Sequence, residues 1–116
     1  MGAVSFEALA FGKTADDAFR NAVEDAKHMH GHGGYTGTIV EKSSFEVIPK
    51  REHHGKQKRR YAHQLIEDGD ERIQRKRGPA GAINCSGTNA AIRYRKQHEL
   101  EGKHGDVRLF FGWVAH

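Results

Sequence analysis

The spacing of apolar residues near the start of the chain predicts a strand followed by an amphipathic helix. The strand runs from Val4 to Phe11 and stops at Gly12. Thr14 can cap the first turn of the helix, and Asp16 and Asp17 suit the positive end of its dipole. The apolar residues of this helix recur at the i, i+3, i+4, i+7 spacing of one face: Phe19, Ala22, Val23 and Ala26.

A glycine-rich joint and a hairpin are predicted next. Residues 31–34 contain three glycines and lead into a strand over residues 35–41, which is rich in β-branched and aromatic side chains. Residues 45–48 can pair back with that strand, and Pro49 ends the pairing because proline has no amide hydrogen to donate.

The second half of the chain predicts one more helix and three more strands. From about Gln57 an apolar stripe indicates a helix, which residues 68–70 interrupt and residues 71–76 extend by a turn. Gly78 and Pro79 stop it. The remaining apolar segments are short strands: 80–85, 90–95 and 107–114.

This order of elements, β-α-β-β-α-β-β, predicts an α+β fold. We expect a mainly antiparallel sheet with two helices on one face, as a variant of the ferredoxin-like arrangement. The length of 116 residues fits one domain over residues 1–116. Hydrophobic residues make up 36% of the chain, so the core is small, and a partner or a second copy can complete part of the surface.

Cysteine content and hydropathy predict a cytoplasmic protein. The single cysteine, Cys85, rules out an intrachain disulfide, so nothing favours an oxidising compartment. The first eleven residues lack the basic start of a signal peptide, and no run of about 18 apolar residues exists to span a membrane.

Positive charge is concentrated in one region of the chain. The net charge of the whole chain is +4, but ten of its nineteen lysines and arginines lie within residues 50–77 together with five acids. Clustered positive charge favours binding to a phosphate backbone, because each cation that neutralises a phosphate releases a counterion. The alternatives are a solvated helix face with i,i+4 ion pairs or a surface for an acidic protein partner.

Two further segments extend the predicted binding surface. Arg93 and Arg95 flank Tyr94, and strand alternation would place both guanidinium groups on one side of the sheet, beside a ring on which a base can stack. The glycine joint puts hydroxyl donors near flexible backbone, although a helix-loop-strand order excludes a P-loop. The candidate ligand-binding residues are Lys56, Lys58, Arg59, Arg60, Arg72, Arg75, Lys76, Arg77, Arg93, Tyr94, Arg95, Tyr35, Thr36 and Thr38.

Catalytic and metal-binding patterns are weaker. His28 and His32 share a helix face only if the helix runs through Gly31, and no Cys pair or H-E-x-x-H motif accompanies them. Cys85 follows a short apolar strand, which favours a buried thiol over a nucleophile. We therefore expect a binding protein rather than an enzyme, with no cofactor and no metal. A further hypothesis is a small hydrolase or metalloenzyme that uses His28, His32 and nearby acids.

The aromatic residues near the end of the chain offer a second kind of surface. Phe110, Phe111 and Trp113 lie in the last predicted strand, whose alternation sends some of them to each face. One set belongs to the core, and the other set is covered by a helix, a second subunit or a partner.

Several short segments resemble small uncharacterised proteins of bacteriophages, especially actinophages. The similar stretches are Gly31–Lys42 (GHGGYTGTIVEK), Ala18–Phe19, Ala22–Ala26, Gln64–Asp68, Gly78–Gly81 and Phe110–Trp113. The resemblance implies a viral accessory protein for host takeover or anti-defence, acting in the host cytoplasm. With the charge pattern, it leads us to expect a non-enzymatic protein that binds nucleic acid or a nucleotide; the alternative is an inhibitor or assembly module that binds a host protein through its aromatic C-terminal strand.

Overall fold

A computed structural model describes residues 2–30 and 38–115 of the chain. Within them the chain forms four strands, four helices and one 3-10 turn. In chain order these elements are β1 (Ala3–Gly12), α1 (Ala15–His30), the 3-10 turn (Ile39–Glu41), β2 (Phe45–Val47), α2 (Lys50–His53), α3 (Lys58–Glu67), β3 (Ala80–Asn84), α4 (Asn89–Gln97) and β4 (Asp106–Ala115). None of the described helices is long and apolar enough to cross a bilayer.

The four strands form one mixed sheet in the order β1-β4-β3-β2. β4 lies inside the sheet and pairs antiparallel with β1 along ten residues, from Ala3↔Ala115 to Gly12↔Asp106. It pairs antiparallel with β3 on its other side. β2 pairs with β3 in parallel, because α2 and α3 carry the chain back to the starting end of the sheet between these two strands.

Both faces of the sheet are covered, and each face has its own core cluster. On one face Ile83 and Phe111 pack against α3 and α4. On the opposite face Phe110 packs with Phe6 against α1 and the 3-10 turn. The fully buried neighbours Phe110 and Phe111 point to opposite sides, as strand alternation requires.

The α+β class is confirmed, and the antiparallel expectation holds for two of the three strand pairs. The placement of two helices on one face is confirmed in part, since α3 and α4 share one side of the sheet, whereas α1 lies on the other. The chain does not have the strand order of the ferredoxin-like fold. β2 and β3 are adjacent, so no third strand lies between them, as the split crossover of that fold requires.

Two predicted strands have a different structure. Residues 90–95 lie in helix α4, because Thr88 caps a run of alanines that favours a helix. Residues 39–41 form a 3-10 turn, and the rest of that predicted strand, at 35–37, lies outside the described residues. Residues 45–47 do form a strand, but its partner is β3 rather than the preceding segment.

Candidate functional site

A groove on the α3/α4 side of the sheet brings cations from two helices together. Its volume is about 820 Å³, and strand β1, the beginning of α3, the beginning of α4 and one side of α4 line it. Four of the predicted binding residues line this groove: the cations Lys58, Arg59 and Arg93, and Tyr94. We call this cavity the basic groove. Glu7 of β1 and buried Cys85 also contribute to its walls.

Both helices begin at the basic groove, so the positive ends of two dipoles meet there. In α3 the Gln57 side chain accepts a hydrogen bond from the Arg60 amide at 2.8 Å. In α4 the Thr88 hydroxyl accepts one from the Ala91 amide at 3.1 Å. The amides before these capped positions have no acceptor within their own helix, which leaves donors at the groove.

The three cations of the basic groove differ in their contacts. The Lys58 ammonium donates to the His53 carbonyl at 2.6 Å. The Arg59 guanidinium forms an ion pair with the Glu7 carboxylate at 2.6 Å. Arg93 is exposed, and the described residues offer it no carboxylate or hydrogen-bond partner. The groove therefore combines one cation without a partner among the described residues, Arg93, with two cations, Lys58 and Arg59, that a ligand can contact in addition to their present partners.

An aromatic pair forms the wall of the basic groove where α4 ends. The rings of Tyr94 and His98 stack with their centroids 4.1 Å apart. Both residues also line a second cavity of about 500 Å³ along β1 and α1. Burial, with a smaller effect of the Asp25 carboxylate, raises the pKa of the Tyr94 hydroxyl, so the tyrosine stays neutral at physiological pH. The exposed His98 ring offers a stacking surface beside the cations.

Arg72 lies outside the basic groove and is committed to two carboxylates. Its guanidinium makes two hydrogen bonds to Glu52, at 2.9 and 3.1 Å, and two to Asp70, at 2.9 and 3.0 Å. These hydrogen bonds lower the pKa of both carboxyl groups. This predicted binding residue is therefore a structural ion-pair centre.

Arg95 is also committed to the fold. Its guanidinium donates to the carbonyls of Leu100, Lys103 and Gly105 and lies 4.9 Å from the centre of the Phe11 ring. The expectation that Arg93 and Arg95 share one side is wrong, because residues two apart on a helix point in different directions.

The remaining predicted cations lie apart from the basic groove. Lys56 sits over the Tyr61 ring, 4.7 Å from its centre, and Arg60 is exposed on α3. The loop of residues 75–77 is held by the buried Lys42, whose ammonium donates to the carbonyls of Arg75 and Lys76, each at 3.2 Å, and of Gly78 at 2.9 Å. Arg75, Lys76 and Arg77 therefore form a separate basic loop.

Of the three predicted hydroxyl donors the structure describes Thr38, which does not line the basic groove. Tyr35 and Thr36 lie outside the described residues. The Thr38 hydroxyl accepts from the Val40 amide at 3.3 Å, so it caps the 3-10 turn, and Thr38 lines the second cavity.

The groove residues that are not among the sequence candidates include Glu7, Thr88 and His98. The threonine after Gly87 is an N-cap signal that could have indicated α4. Nothing local in the sequence points to the contact between Glu7 and Arg59, because it joins β1 to α3 across more than fifty positions.

The thiol of Cys85 and the grouping of metal-ligating side chains bear on the remaining chemical hypotheses. Cys85 is 2% exposed, and burial raises the pKa of its thiol to about 11, so the nucleophilic thiolate is disfavoured. Within residues 2–30 and 38–115, no three histidine, cysteine or carboxylate side chains are grouped to hold a metal ion. His32 lies outside these ranges.

The aromatic strand is largely core. Phe110 and Phe111 are fully buried, and Trp113 is partly exposed and packs on the α3/α4 cluster.

Comparisons of the chain with protein-family models, curated proteins and solved structures find no match.

Proposed function

We propose that the protein binds a phosphate-rich ligand, a nucleotide or nucleic acid, in the basic groove and catalyses no reaction on it. The observation that carries this proposal is the meeting of Lys58, Arg59 and Arg93 with the beginnings of two helices around one cavity. Amides at helix starts and cationic side chains are the groups that phosphate oxygens accept from.

The rest of the groove supports a ligand with an aromatic part. The stacked pair of Tyr94 and His98 lies next to the cations, and a base gains about 1–3 kcal/mol from stacking on an aromatic side chain. The neutral thiol of Cys85 supplies neither a nucleophile nor a metal ligand. A binding role therefore suits the groove better than a hydrolytic one.

The biological setting that we propose comes from the resemblance to phage proteins. A phage accessory protein that sequesters a nucleotide signal or binds nucleic acid in the host cytoplasm would combine that resemblance with the basic groove.

Removing the cations of the basic groove tests the proposal. We expect Lys58→Gln and Arg93→Gln each to weaken binding of a nucleotide or a short single-stranded oligonucleotide by about tenfold, because each removes a charge-assisted hydrogen bond. Isothermal titration calorimetry at low and physiological salt measures the effect, and the affinity of the unaltered protein should fall as salt rises.

The matched control is Arg20→Gln. Arg20 is an exposed arginine of α1, on the opposite side of the sheet, and its side chain is 71% exposed in an ion pair with Asp17. Equal affinities of all three variants, or an affinity that does not change with salt, would refute the basic groove as the binding site.

The second candidate function is binding of a host protein through the aromatic strand. Among the aromatic residues of this strand, Trp113 is partly exposed, whereas Phe110 and Phe111 are buried. A Trp113→Ala variant that loses a protein captured after nuclease treatment, while it retains the thermal stability of the unaltered chain, would favour this alternative. A Phe111 variant cannot make this test, because it alters the core.

A further inference from the structure

We infer that the basic groove selects a phosphate monoester, the terminal phosphate of a nucleotide, over the phosphodiester of a nucleic acid, and that Glu7 is the selecting residue. This inference rests on the proposed function. The key observation is that the Glu7 carboxylate already forms an ion pair with the Arg59 guanidinium.

Glu7 contacts two side chains of α3, one with each of its oxygens. One oxygen contacts Arg59 at 2.6 Å, and the other contacts the His63 ring at 2.7 Å. The side chains of Arg59 and His63 are 66% and 50% exposed, whereas that of Glu7 is 28% exposed. The carboxylate is therefore the inner group of this cluster, and an incoming anion meets Arg59 from the solvent side.

A ligand that uses Arg59 must displace or share this carboxylate. The displaced carboxylate stays on β1, within the groove, and repels the anion that replaced it. A phosphodiester carries one negative charge, so at Arg59 it replaces the single charge of Glu7 with an equal charge, and the binding free energy gained is small. A monoester carries between 1.5 and 2 negative charges at neutral pH, so it overcomes the competition.

The net charge of the groove fits the same ligand. Lys58, Arg59 and Arg93 against Glu7 leave two positive charges, which match one monoester dianion. A polymer needs cations that continue along its backbone. Arg72 and Arg95, which could have continued the path, are committed to carboxylates and carbonyls within the fold.

The experiment compares two ligands that share the same base. Adenosine 5′-monophosphate has a monoester, and the dinucleoside monophosphate ApA has one diester and no terminal phosphate. For the unaltered protein we expect calorimetry at constant salt to give at least tenfold tighter binding of the monophosphate. For Glu7→Gln we expect the difference to narrow to about threefold or less, mainly because ApA binds better.

Two further variants complete the design. Glu46→Gln removes an exposed acid from β2, at the other edge of the sheet, and therefore measures the general effect of one added positive charge. Arg59→Gln keeps Glu7 but removes its partner, and it should weaken monophosphate binding about tenfold. Circular dichroism and a thermal melt establish that each variant is folded.

The outcomes separate the two proposals. If ApA binds the unaltered protein as tightly as the monophosphate, the groove does not select monoesters, although it binds phosphate. If Glu7→Gln changes the ratio no more than Glu46→Gln does, Glu7 is not the selecting residue. If neither ligand binds at millimolar concentration, the proposed function itself fails and this inference with it.

Discussion

Arg72 illustrates how a side chain that looks like a ligand-binding cation can be part of the fold. Its guanidinium joins Glu52 of α2 to Asp70 of the turn after α3, with four hydrogen bonds of 2.9 to 3.1 Å. The Tyr61 hydroxyl donates to the same Glu52 carboxylate at 3.2 Å. This cluster fixes the turn after α3. Because the Arg72 guanidinium is already hydrogen-bonded to two carboxylates, it is not available to bind a phosphate.

The Arg72 cluster predicts a specific dependence of stability on pH. Arg72 lowers the pKa of Glu52 and Asp70 below their ordinary values of 4.5 and 3.8 in the folded protein. Groups with lowered pKa stabilise the fold above their unfolded pKa and lose that contribution as pH falls. We expect Arg72→Met to lower the free energy of unfolding by about 1–3 kcal/mol at pH 7 and by clearly less at pH 3.

Urea unfolding at the two pH values measures this effect. Arg20→Met is the matched control, since Arg20 belongs to an exposed i,i+3 pair at 3.5 Å that contributes little. A loss of stability that is the same at pH 3 and pH 7 would contradict the assigned role of the carboxylates.

At the scale of elements, helix α4 determines the shape of the basic groove. Thr88 begins it with two hydrogen bonds: its hydroxyl accepts from the Ala91 amide at 3.1 Å and donates to the Cys85 carbonyl at 2.7 Å. The helix then places Arg93 and Tyr94 at the groove and turns Arg95 toward the loop of residues 100–105.

Loss of the Thr88 cap should weaken the whole molecule. We expect Thr88→Ala to lower the free energy of unfolding by about 1 kcal/mol, the usual value for an N-cap hydroxyl. Thr88→Ser keeps the hydroxyl and should restore most of the stability. Urea unfolding compares the three proteins, and equal midpoints would show that this cap contributes nothing.

The sequence predicted some elements well for physical reasons. Helix α1 has a cap, acids in its first turn and a regular apolar face, so local signals agree, and the helix begins and ends close to the predicted residues. Strand β4 was found because its apolar run is long. The sequence predicts a strand over residues 90–95, where the structure has helix α4. A short segment with Ile92 and Tyr94 fits a strand as well as a helix, and the signal that favours a helix is the cap at Thr88.

The sequence predicts the candidate site less completely than the fold. The sequence offers fourteen candidate binding residues, of which four line the basic groove: Lys58, Arg59, Arg93 and Tyr94. It could not tell which cations are neutralised within the fold. That depends on contacts such as Glu52 with Arg72, which are twenty residues apart, and on carbonyls that meet Arg95 only after the loop has closed.

The whole molecule is a sheet with a core cluster on each face, and the two clusters share strand β4. Phe110 belongs to one cluster and Phe111 to the other, and both side chains are 0% exposed. Gly81 makes room for this arrangement, since a Cβ atom there would lie 2.5 Å from the Phe111 ring. Neighbouring residues of one strand therefore anchor both layers of helices.

This sharing predicts that both faces unfold together. We expect Phe110→Ala to lower the free energy of unfolding by about 3–5 kcal/mol, a large part of the stability of a small domain. Trp113 packs on the other face, so its fluorescence reports the cluster that the substitution does not touch. Its unfolding transition should shift to lower urea together with the circular dichroism signal. A tryptophan transition that stays in place would mean that the faces unfold separately.

The interior position of β4 has a consequence for biosynthesis. β4 is the last of the four strands to be made, yet it is the one that joins β1 to β3. During synthesis, the backbone hydrogen-bonding groups on both edges of β1 therefore stay unpaired until β4 is made, and α1 is the neighbouring element that can cover β1. Since translation adds roughly 5–20 residues per second, this interval lasts for seconds. We therefore expect β1 to join the sheet only after β4 emerges, and its open edges to be able to pair with other strands until then.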